Sequence, residues 1–371
     1  MDQTGATGMH CNPGWIGGRG FDLCFFFGAG VLAVLAGLLA LAVPATILPL
    51  WLLWLWLIEG PHLVATWQRT YLDAQCRRER RRMLLVSLLW LLPAPLLLVA
   101  SWLLGRPEVF LLLLGGAALW SYHHAVRQHH GIVSVYQRLG KASAAARRLD
   151  GRLLHGTMWG AFVLFILVHS FNRQQVGLAP ALGPGESVAA GVLAGALVLA
   201  VAGWALKLVL RWRRGETLKP GLLAMMVAVG STLFAFFAVG MREPLLPGAL
   251  NPEQVFMAAS VVGGIVHGMQ YLGMVIATSR RRAGADGSGT LATVFGRKPL
   301  LAYGAMVAVS LLYLWLTFLR GAPPGSGEPS HAAQMFLALY WGLFFHHYWL
   351  DQQIWKPSVD GRLRSELGLV R

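Results

Sequence analysis

Long apolar segments separated by short polar connections run along the whole chain. About ten of them reach the length of roughly 20 residues that a helix needs to cross a bilayer. The connections are short and the segments show no sequence repeat, so the pattern predicts one bundle rather than two domains. The predicted spans are 21–43, 47–72, 83–104, 108–136, 153–172, 187–210, 220–240, 253–278, 299–319 and 332–355.

The composition agrees with a membrane bundle. Hydrophobic residues make up 56% of the chain and charged residues only 13%, whereas a soluble domain carries about 25% charged residues. We therefore predict an all-α, polytopic integral membrane protein. A tail at 1–20 would precede a single transmembrane domain at 21–355, and a second tail would follow at 356–371.

The polar connections alternate between a basic set and a set rich in proline and glycine. The basic connections and the C-terminal tail hold 23 of the 31 lysines and arginines. The positive-inside rule then places these connections and both termini in the cytoplasm, as in a bacterial inner membrane. The same rule accounts for the net charge of +15 without a nucleic-acid partner. The three cysteines (Cys11, Cys24 and Cys76) are scattered and form no CxxC pair.

Ionisable side chains are costly inside a bilayer, so those within spans are candidates for function. Eight of the twelve histidines lie on four spans that run in the same direction, about 7 to 14 residues before a basic connection. At the rise of an α-helix they would share one slab roughly 10 Å thick, on the cytoplasmic side. These histidines are His62, His123, His124, His129, His130, His267, His346 and His347.

Several imidazoles at one depth favour a metal site, because neutral imidazole is a preferred ligand of iron, zinc and copper. We take all eight histidines as candidate ligands, together with two carboxylates. Glu59 precedes His62 by three residues, the spacing with which one helix supplies a carboxylate and an imidazole to a di-metal site. Asp351 follows His347 by four residues, so both can face one ion. Few carboxylates and no thiolates disfavour calcium and magnesium.

Other polar residues of the same spans are candidates for further roles. Gln270, Tyr271 and Arg127 are predicted to take part in catalysis or to orient the ligands. Arg69 and Arg127 are predicted to bind an anionic headgroup of the substrate, with snorkelling to the membrane surface as the alternative. Pro61 should kink the second span next to His62.

The paired histidines at 123–124, 129–130 and 346–347 resemble those of membrane-bound histidine-rich non-haem iron enzymes. That group contains fatty-acid desaturases, sterol and lipid hydroxylases and alkane monooxygenases. The resemblance covers four short stretches and implies two iron ions and oxidation of a lipid-soluble substrate by hydroxylation, desaturation or cleavage. It also implies a cytoplasmic ferredoxin or reductase, since the chain has no flavin or NAD fingerprint. A weaker resemblance is to bacterial membrane carotene-cleaving dioxygenases, which hold one iron.

Two other functions stay open from the sequence. Two histidines on different spans can ligate haem in an electron-transfer or sensor protein. A histidine layer can also serve as the relay of a metal or proton-coupled transporter, which would need polar residues on a path to both sides. For four histidines away from the layer, ordinary packing or exposure is the expectation; these are His10, His155, His169 and His331.

Overall fold

The computed structural model describes residues 14–175, 177–215, 219–240, 250–285, 291–315 and 330–369. Within these ranges the regular structure is entirely helical, which confirms the predicted all-α class. The long helices are α1 (Arg19–Ala42), α2 (Pro44–Arg69), α3 (Arg81–Leu104), α4 (Glu108–Leu139), α5 (Ala144–Val168), α6 (Pro184–Leu210), α7 (Pro220–Gly240), α8 (Pro252–Gly284), α9 (Pro299–Leu314) and α10 (His331–Ile354). Short helices are Ala74–Glu79, Ser170–Gln175, Leu291–Arg297 and Gly361–Glu366.

Helices α1 to α8 are long and apolar enough to cross a membrane, which confirms a multi-pass architecture. The ninth predicted span begins on α9, which is apolar but shorter, and ends beyond the described residues. The tenth coincides with α10, whose 24 residues suffice in length but include several polar positions. That these last two helices also cross the bilayer stays a prediction.

Local sequence signals fix several helix ends. The Ser143 side chain accepts a hydrogen bond from the Ala146 amide at 3.2 Å, so α5 begins at Ala144 rather than at 153. Ser330 caps α10 in the same way through the Ala333 amide. α3 ends at Gly105, whose φ of 62° lies in the left-handed region that glycine adopts without strain.

Helix α2 is irregular next to its polar stretch. Residues Leu55–Glu59 form a π-helical turn, and Pro61 follows after Gly60. Pro61 has no amide hydrogen, so it cannot bond to the carbonyl of Leu57 one turn earlier. The Tyr303 hydroxyl of α9 donates to that carbonyl instead, at 2.7 Å. The predicted distortion at Pro61 is therefore present, and α9 stabilises it.

Helix α8 lies at the centre of the bundle. It is the most buried of the eight apolar helices, with 61% of its apolar stretch inside the structure, against 6% for α6. Gly264 and Gly268 allow α2 to approach it closely, because a Cβ atom there would lie 2.3 Å from the Trp54 ring and 2.5 Å from Ile58 Cγ2. Small residues spaced by four are a common basis for such contacts between membrane helices.

One end of the bundle carries an ion-pair network. We call it the basic end and define it by residues 14–17, the helices Ala74–Glu79 and Gly361–Glu366, and the α8 terminus around Arg281. Arg281 donates to the backbone carbonyls of both Ile16 and Glu366, so both ends of the described chain meet here. The segment 356–369, expected as a tail, packs on the bundle and buries Leu363.

Candidate metal centre

Four of the predicted ligands meet in the interior. His62, His124, His267 and His347 come from α2, α4, α8 and α10, and each offers one ring nitrogen within 4.8 Å of the others. Their rings are in contact, with centroids 4.4 Å apart for His62 and His347 and 5.1 Å apart for His124 and His267. All four are buried. The prediction that histidines of four distant spans converge is confirmed for this set, which we call the histidine cluster.

The cluster contains buried ring nitrogens that lack hydrogen-bond partners. His62 Nδ1 and Nε2, His124 Nε2, His267 Nδ1 and His347 Nε2 are buried and have no hydrogen-bond partner among the described residues. Buried polar atoms without partners are rare and costly in folded proteins. Four helices that each direct at least one such nitrogen to a common point form a site that a cation would complete.

The dimensions of the cluster suit one ion. Imidazole nitrogens bind zinc-sized transition ions at about 2.0–2.1 Å, so opposite ligands of one ion lie about 4 Å apart. A maximum separation of 4.8 Å needs only a small inward shift. The rings contact one another across the cluster, which leaves space for an ion but not for a porphyrin. This geometry argues against the haem alternative at the cluster.

Two predicted carboxylates border the cluster. Asp351 Oδ2 lies 3.6 Å from His347 Nε2 and 3.7 Å from His124 Nε2. Glu59 Oε2 lies 3.6 Å from His62 Nδ1 and has no hydrogen-bond partner. These distances exceed hydrogen-bond length, so both carboxylates are within reach of an ion without being locked to the histidines. They place carboxyl oxygens beside the four imidazoles.

A hydrogen-bond network holds His347 and Asp351 in place. His347 Nδ1 lies 2.6 Å from Thr66 Oγ1, which lies 2.7 Å from the Tyr271 hydroxyl. Tyr271 in turn donates to Asp351 Oδ1 at 2.7 Å. A partner on one ring nitrogen orients the other nitrogen of a metal-binding histidine. Tyr271, predicted as a catalytic residue, thus contacts His62 and His347 through its ring, and its hydroxyl reaches His347 through Thr66.

Two side-chain amides lie beside the other half of the cluster. Gln128 donates to the backbone carbonyl of His267 at 2.8 Å. His129 is buried beside His267, with ring centroids 6.4 Å apart, and its Nδ1 contacts Gln270 Oε1 at 3.0 Å. His129 and Gln270 therefore support the cluster from outside the four-histidine set.

Three other predicted ligands lie outside the cluster. His123 is exposed on α4 and packs near Trp159. His130 pairs with His155, with ring centroids 4.8 Å apart. His346 Nε2 contacts the Tyr71 hydroxyl at 3.0 Å. These placements leave one compact set of four histidines, and a second ion stays a prediction.

The two predicted headgroup arginines differ in placement. Arg127 is exposed on α4, on the side of His123 and His130. Arg69 is buried and donates to Glu366 Oε2 at 2.9 Å, so its charge is directed into the protein rather than to a lipid. The internal ion pair is the physical reason why Arg69 does not fit the predicted headgroup role.

Sequence reasoning missed residues that complete the surroundings. Tyr348 stacks on the His124 ring, with centroids 4.5 Å apart. Trp355 packs edge-on against Tyr271 at 5.9 Å, just past the end of α10. Helical spacing could have indicated Tyr348, because it follows Phe344 by four positions and so lies on the same side of α10. Glu366 has no such signal, because its partners lie on α2 and α8, far away in the sequence.

An apolar groove opens beside the cluster between α2, α9 and α10. Its cavity measures about 70 Å³ and its inner wall includes His347 and His346. The remaining lining is mostly aliphatic and aromatic, with Leu63, Val309 and Tyr313 among its residues. His347 therefore borders both the cluster and the groove.

Close packing of α2 against α8 should be needed for the cluster, although neither glycine is a ligand. Gly268→Val places carbon atoms on Ile58, and an ideal Cβ there is also 3.8 Å from His62 Cβ. We expect a loss of about 1–3 kcal/mol in unfolding free energy from overpacking, together with reduced metal content. Thermal unfolding in detergent and elemental analysis measure both effects.

Gly263→Val is the matched control, because a Cβ at Gly263 meets nothing within 4 Å. Equal stability and metal content in the two variants would show that α2 and α8 need no close contact.

No known protein family, curated protein or solved structure matches the chain. Any functional assignment therefore depends on the chemistry of the site.

Proposed function

We propose that the chain is a membrane metalloenzyme that binds a redox-active ion at the histidine cluster and oxidises a lipid-soluble molecule. The observation that carries the proposal is the set of four buried histidines whose inward nitrogens have no partner. Perturbed or unsatisfied polar groups in a closed interior are characteristic of functional sites. A structural role would have satisfied these nitrogens with protein donors and acceptors.

Iron is the ion we propose, with copper as the alternative redox metal. Both accept imidazole ligands, and the neighbouring carboxylates Asp351 and Glu59 suit iron in particular. When bound, such an ion activates dioxygen for attack on otherwise unreactive carbon. The protein's own part is to orient the His347 imidazole through Thr66, to hold the α8 backbone at His267 through Gln128, and to exclude water from the buried cluster.

The groove supports a lipid-soluble substrate. Its lining is mostly apolar, and it reaches His347 at the depth of the cluster. Ligand pockets usually measure about 300–1,000 Å³, so the smaller cavity here accommodates one segment of an extended molecule while the rest stays in lipid. The reactive position of the substrate would then be the segment next to His347. Arg127 remains our candidate for an anionic headgroup.

We further propose that the basic end faces the cytoplasm of a bacterial inner membrane, where a ferredoxin or reductase supplies electrons. A reporter fused after residue 82 or 148 should be active only in the cytoplasm, and one fused after residue 180 only on the opposite side. The expectation comes from the 23 basic residues concentrated in one set of connections. Residues 82 and 180 on one side would contradict this orientation.

The test of the proposed function begins with detergent-purified protein. Elemental analysis should find iron at about one ion per chain, and absorption spectra should lack the intense band of haem. Incubation with membrane lipids, dioxygen and a reductant should then give an oxidised lipid by mass spectrometry. Protein that binds zinc alone, or no metal, would overturn the redox assignment; ion flux into proteoliposomes without oxidation would indicate a transporter instead.

A further inference from the structure

A second group of polar side chains lies on the outer surface of the bundle, where α4 meets α5. On α4, His123, Arg127 and His130 follow one another at spacings of four and three residues, so they share one side of the helix. His123 and Arg127 are exposed, and His130 is half-buried. We call this group, together with His155 of α5, the α4–α5 site.

Helix α5 completes the α4–α5 site. The centroids of the half-buried rings of His155 and His130 lie 4.8 Å apart. One turn before His155, a Cβ atom at Gly151 would lie 3.0 Å from His130 Nε2, so the missing side chain makes room for the imidazole. Arg152, three residues before His155, is exposed and adds a second guanidinium. The two helices thus present guanidinium and imidazole donors to one stretch of the surface.

Within the described part of the chain, no carboxylate pairs with the guanidinium groups of the α4–α5 site. Helix α4 has no acidic residue after Glu108. Asp150, the one acidic residue of α5, pairs with Lys207 at 3.2 Å. None of the ion pairs between described residues involves Arg127 or Arg152. A guanidinium without a carboxylate partner favours a bound anion, and its planar donors match a phosphate.

The position of Arg127 along α4 corresponds to the level of the lipid headgroups. A helix crosses the hydrocarbon core of a bilayer in about 20 residues. Arg127 lies 19 residues after Glu108, the charged residue at the start of α4. This separation corresponds to about 28 Å along the helix. With Glu108 at one membrane surface, Arg127 therefore reaches the opposite one, where phosphates are abundant.

Apolar residues continue the same surface toward the membrane interior. Leu119 is 50% exposed and lies four residues before His123, and Val163 of α5 is 42% exposed. Trp159, one turn after His155, has its ring centroid 6.1 Å from that of His123. A soluble anion would use only the polar part of this surface. A phospholipid would use both parts, with its phosphate on the polar part and its acyl chains along the apolar part.

We propose that the α4–α5 site binds the phosphate of an anionic phospholipid from the surrounding membrane. Arg127 donates to two phosphate oxygens through its planar guanidinium. His130 and His155 each donate a ring N–H, which imidazole carries in either protonation state. The inference rests on the proposed function only for the headgroup role of Arg127, and it requires neither the ion nor the oxidation.

The experiment titrates the purified protein in detergent with phosphatidylglycerol, or with zwitterionic phosphatidylcholine as the reference, and counts bound lipids by native mass spectrometry. The wild type should prefer phosphatidylglycerol. Arg127→Gln should weaken that binding roughly tenfold, and His155→Leu should weaken it less, because hydrogen bonds that involve a charged donor are the stronger ones. Arg127→Lys should keep the preference at reduced affinity, since lysine keeps the charge but not the planar fork. Arg82→Gln on α3 is the control, because Arg82 is also exposed.

A second readout locates the lipid in a bilayer. Phosphatidylglycerol with a photoreactive group at the glycerol end of one acyl chain is incorporated into nanodiscs with the protein. Peptides of α4 and α5 around Leu119 and Trp159 should carry most of the label, and Arg127→Gln should reduce the label there. Thermal unfolding and metal content should match the wild type in Arg127→Gln, because this side chain is exposed.

Equal affinity for phosphatidylglycerol in Arg127→Gln, His155→Leu and the wild type would overturn the inference, as would label spread evenly over all helices. Inorganic phosphate that displaces the lipid would assign the site to a soluble anion, and zinc bound by His130 and His155 in place of the lipid would assign it to a metal; either result overturns the inference. Arg127-dependent lipid binding in a protein without a redox metal would overturn the proposed oxidation and leave the lipid site standing.

Discussion

Alanine at any one of His62, His124, His267 and His347 will remove the metal from the purified protein. Each residue supplies one of four inward nitrogens, so its loss leaves three ligands around a buried ion. Loss of a partner that only orients a ligand typically costs 10–100-fold in metal affinity, and we expect loss of a ligand to cost more than about 100-fold. Elemental analysis and competition with a chelator measure the change.

Two further variants should differ from the alanine variants in how much metal affinity they lose. Thr66→Val removes the hydroxyl that orients His347, so affinity should fall about 10–100-fold rather than vanish. His331→Ala should change nothing, because His331 packs on Trp102 at the start of α10, away from the cluster. Membrane insertion should persist in all variants, since it depends on summed apolar length. Full metal content in the four alanine variants would rule out the cluster as the binding site.

Glu366→Ala will strongly destabilise the protein although Glu366 lies far from the cluster. Its carboxylate accepts from Arg69 at 2.9 Å and from Arg282 at 2.6 Å, and the side chains of Glu366 and Arg69 are about 5% exposed or less. Removal of one partner leaves a buried guanidinium unpaired, which costs about 3–5 kcal/mol. Thermal or denaturant unfolding in detergent should show the loss.

Glu79→Ala is the control for that substitution. Glu79 is exposed and accepts from the Gln75 amide on its own helix. Changes at such surface positions usually stay within about 0.5 kcal/mol. If Glu366→Ala and Glu79→Ala unfold alike, the network at the basic end does not contribute to stability.

The sequence was sufficient for the fold class and for the shared level of His62 and His267 along the bundle. Spans of alternating direction place His62 and His267 at a similar distance from their basic connections, and the two rings indeed lie 4.7 Å apart. Helix length and the positive-inside rule carry this inference, because both depend on the bilayer rather than on details of packing.

The sequence did not show which histidine of each pair faces inward. Neighbours on a helix point about 100° apart, so His123 and His124 cannot both face the cluster, and nothing local distinguishes them. The rotation of α4 is set by its contacts with other helices. Likewise, nothing in the local sequence identifies the partner of Arg69, because Glu366 is 297 residues away in the sequence. Contacts between residues so far apart in the sequence depend on how the whole bundle packs.

The order of synthesis gives the histidine cluster a further property. Its members are synthesised in the order α2, α4, α8 and α10, so His347 arrives with the last long helix of the described chain. A nascent chain that has inserted only the first eight helices holds three of the four ligands. If the cluster binds the proposed ion, full coordination by all four histidines is therefore a late event of biogenesis, and the ion would reach an almost complete bundle.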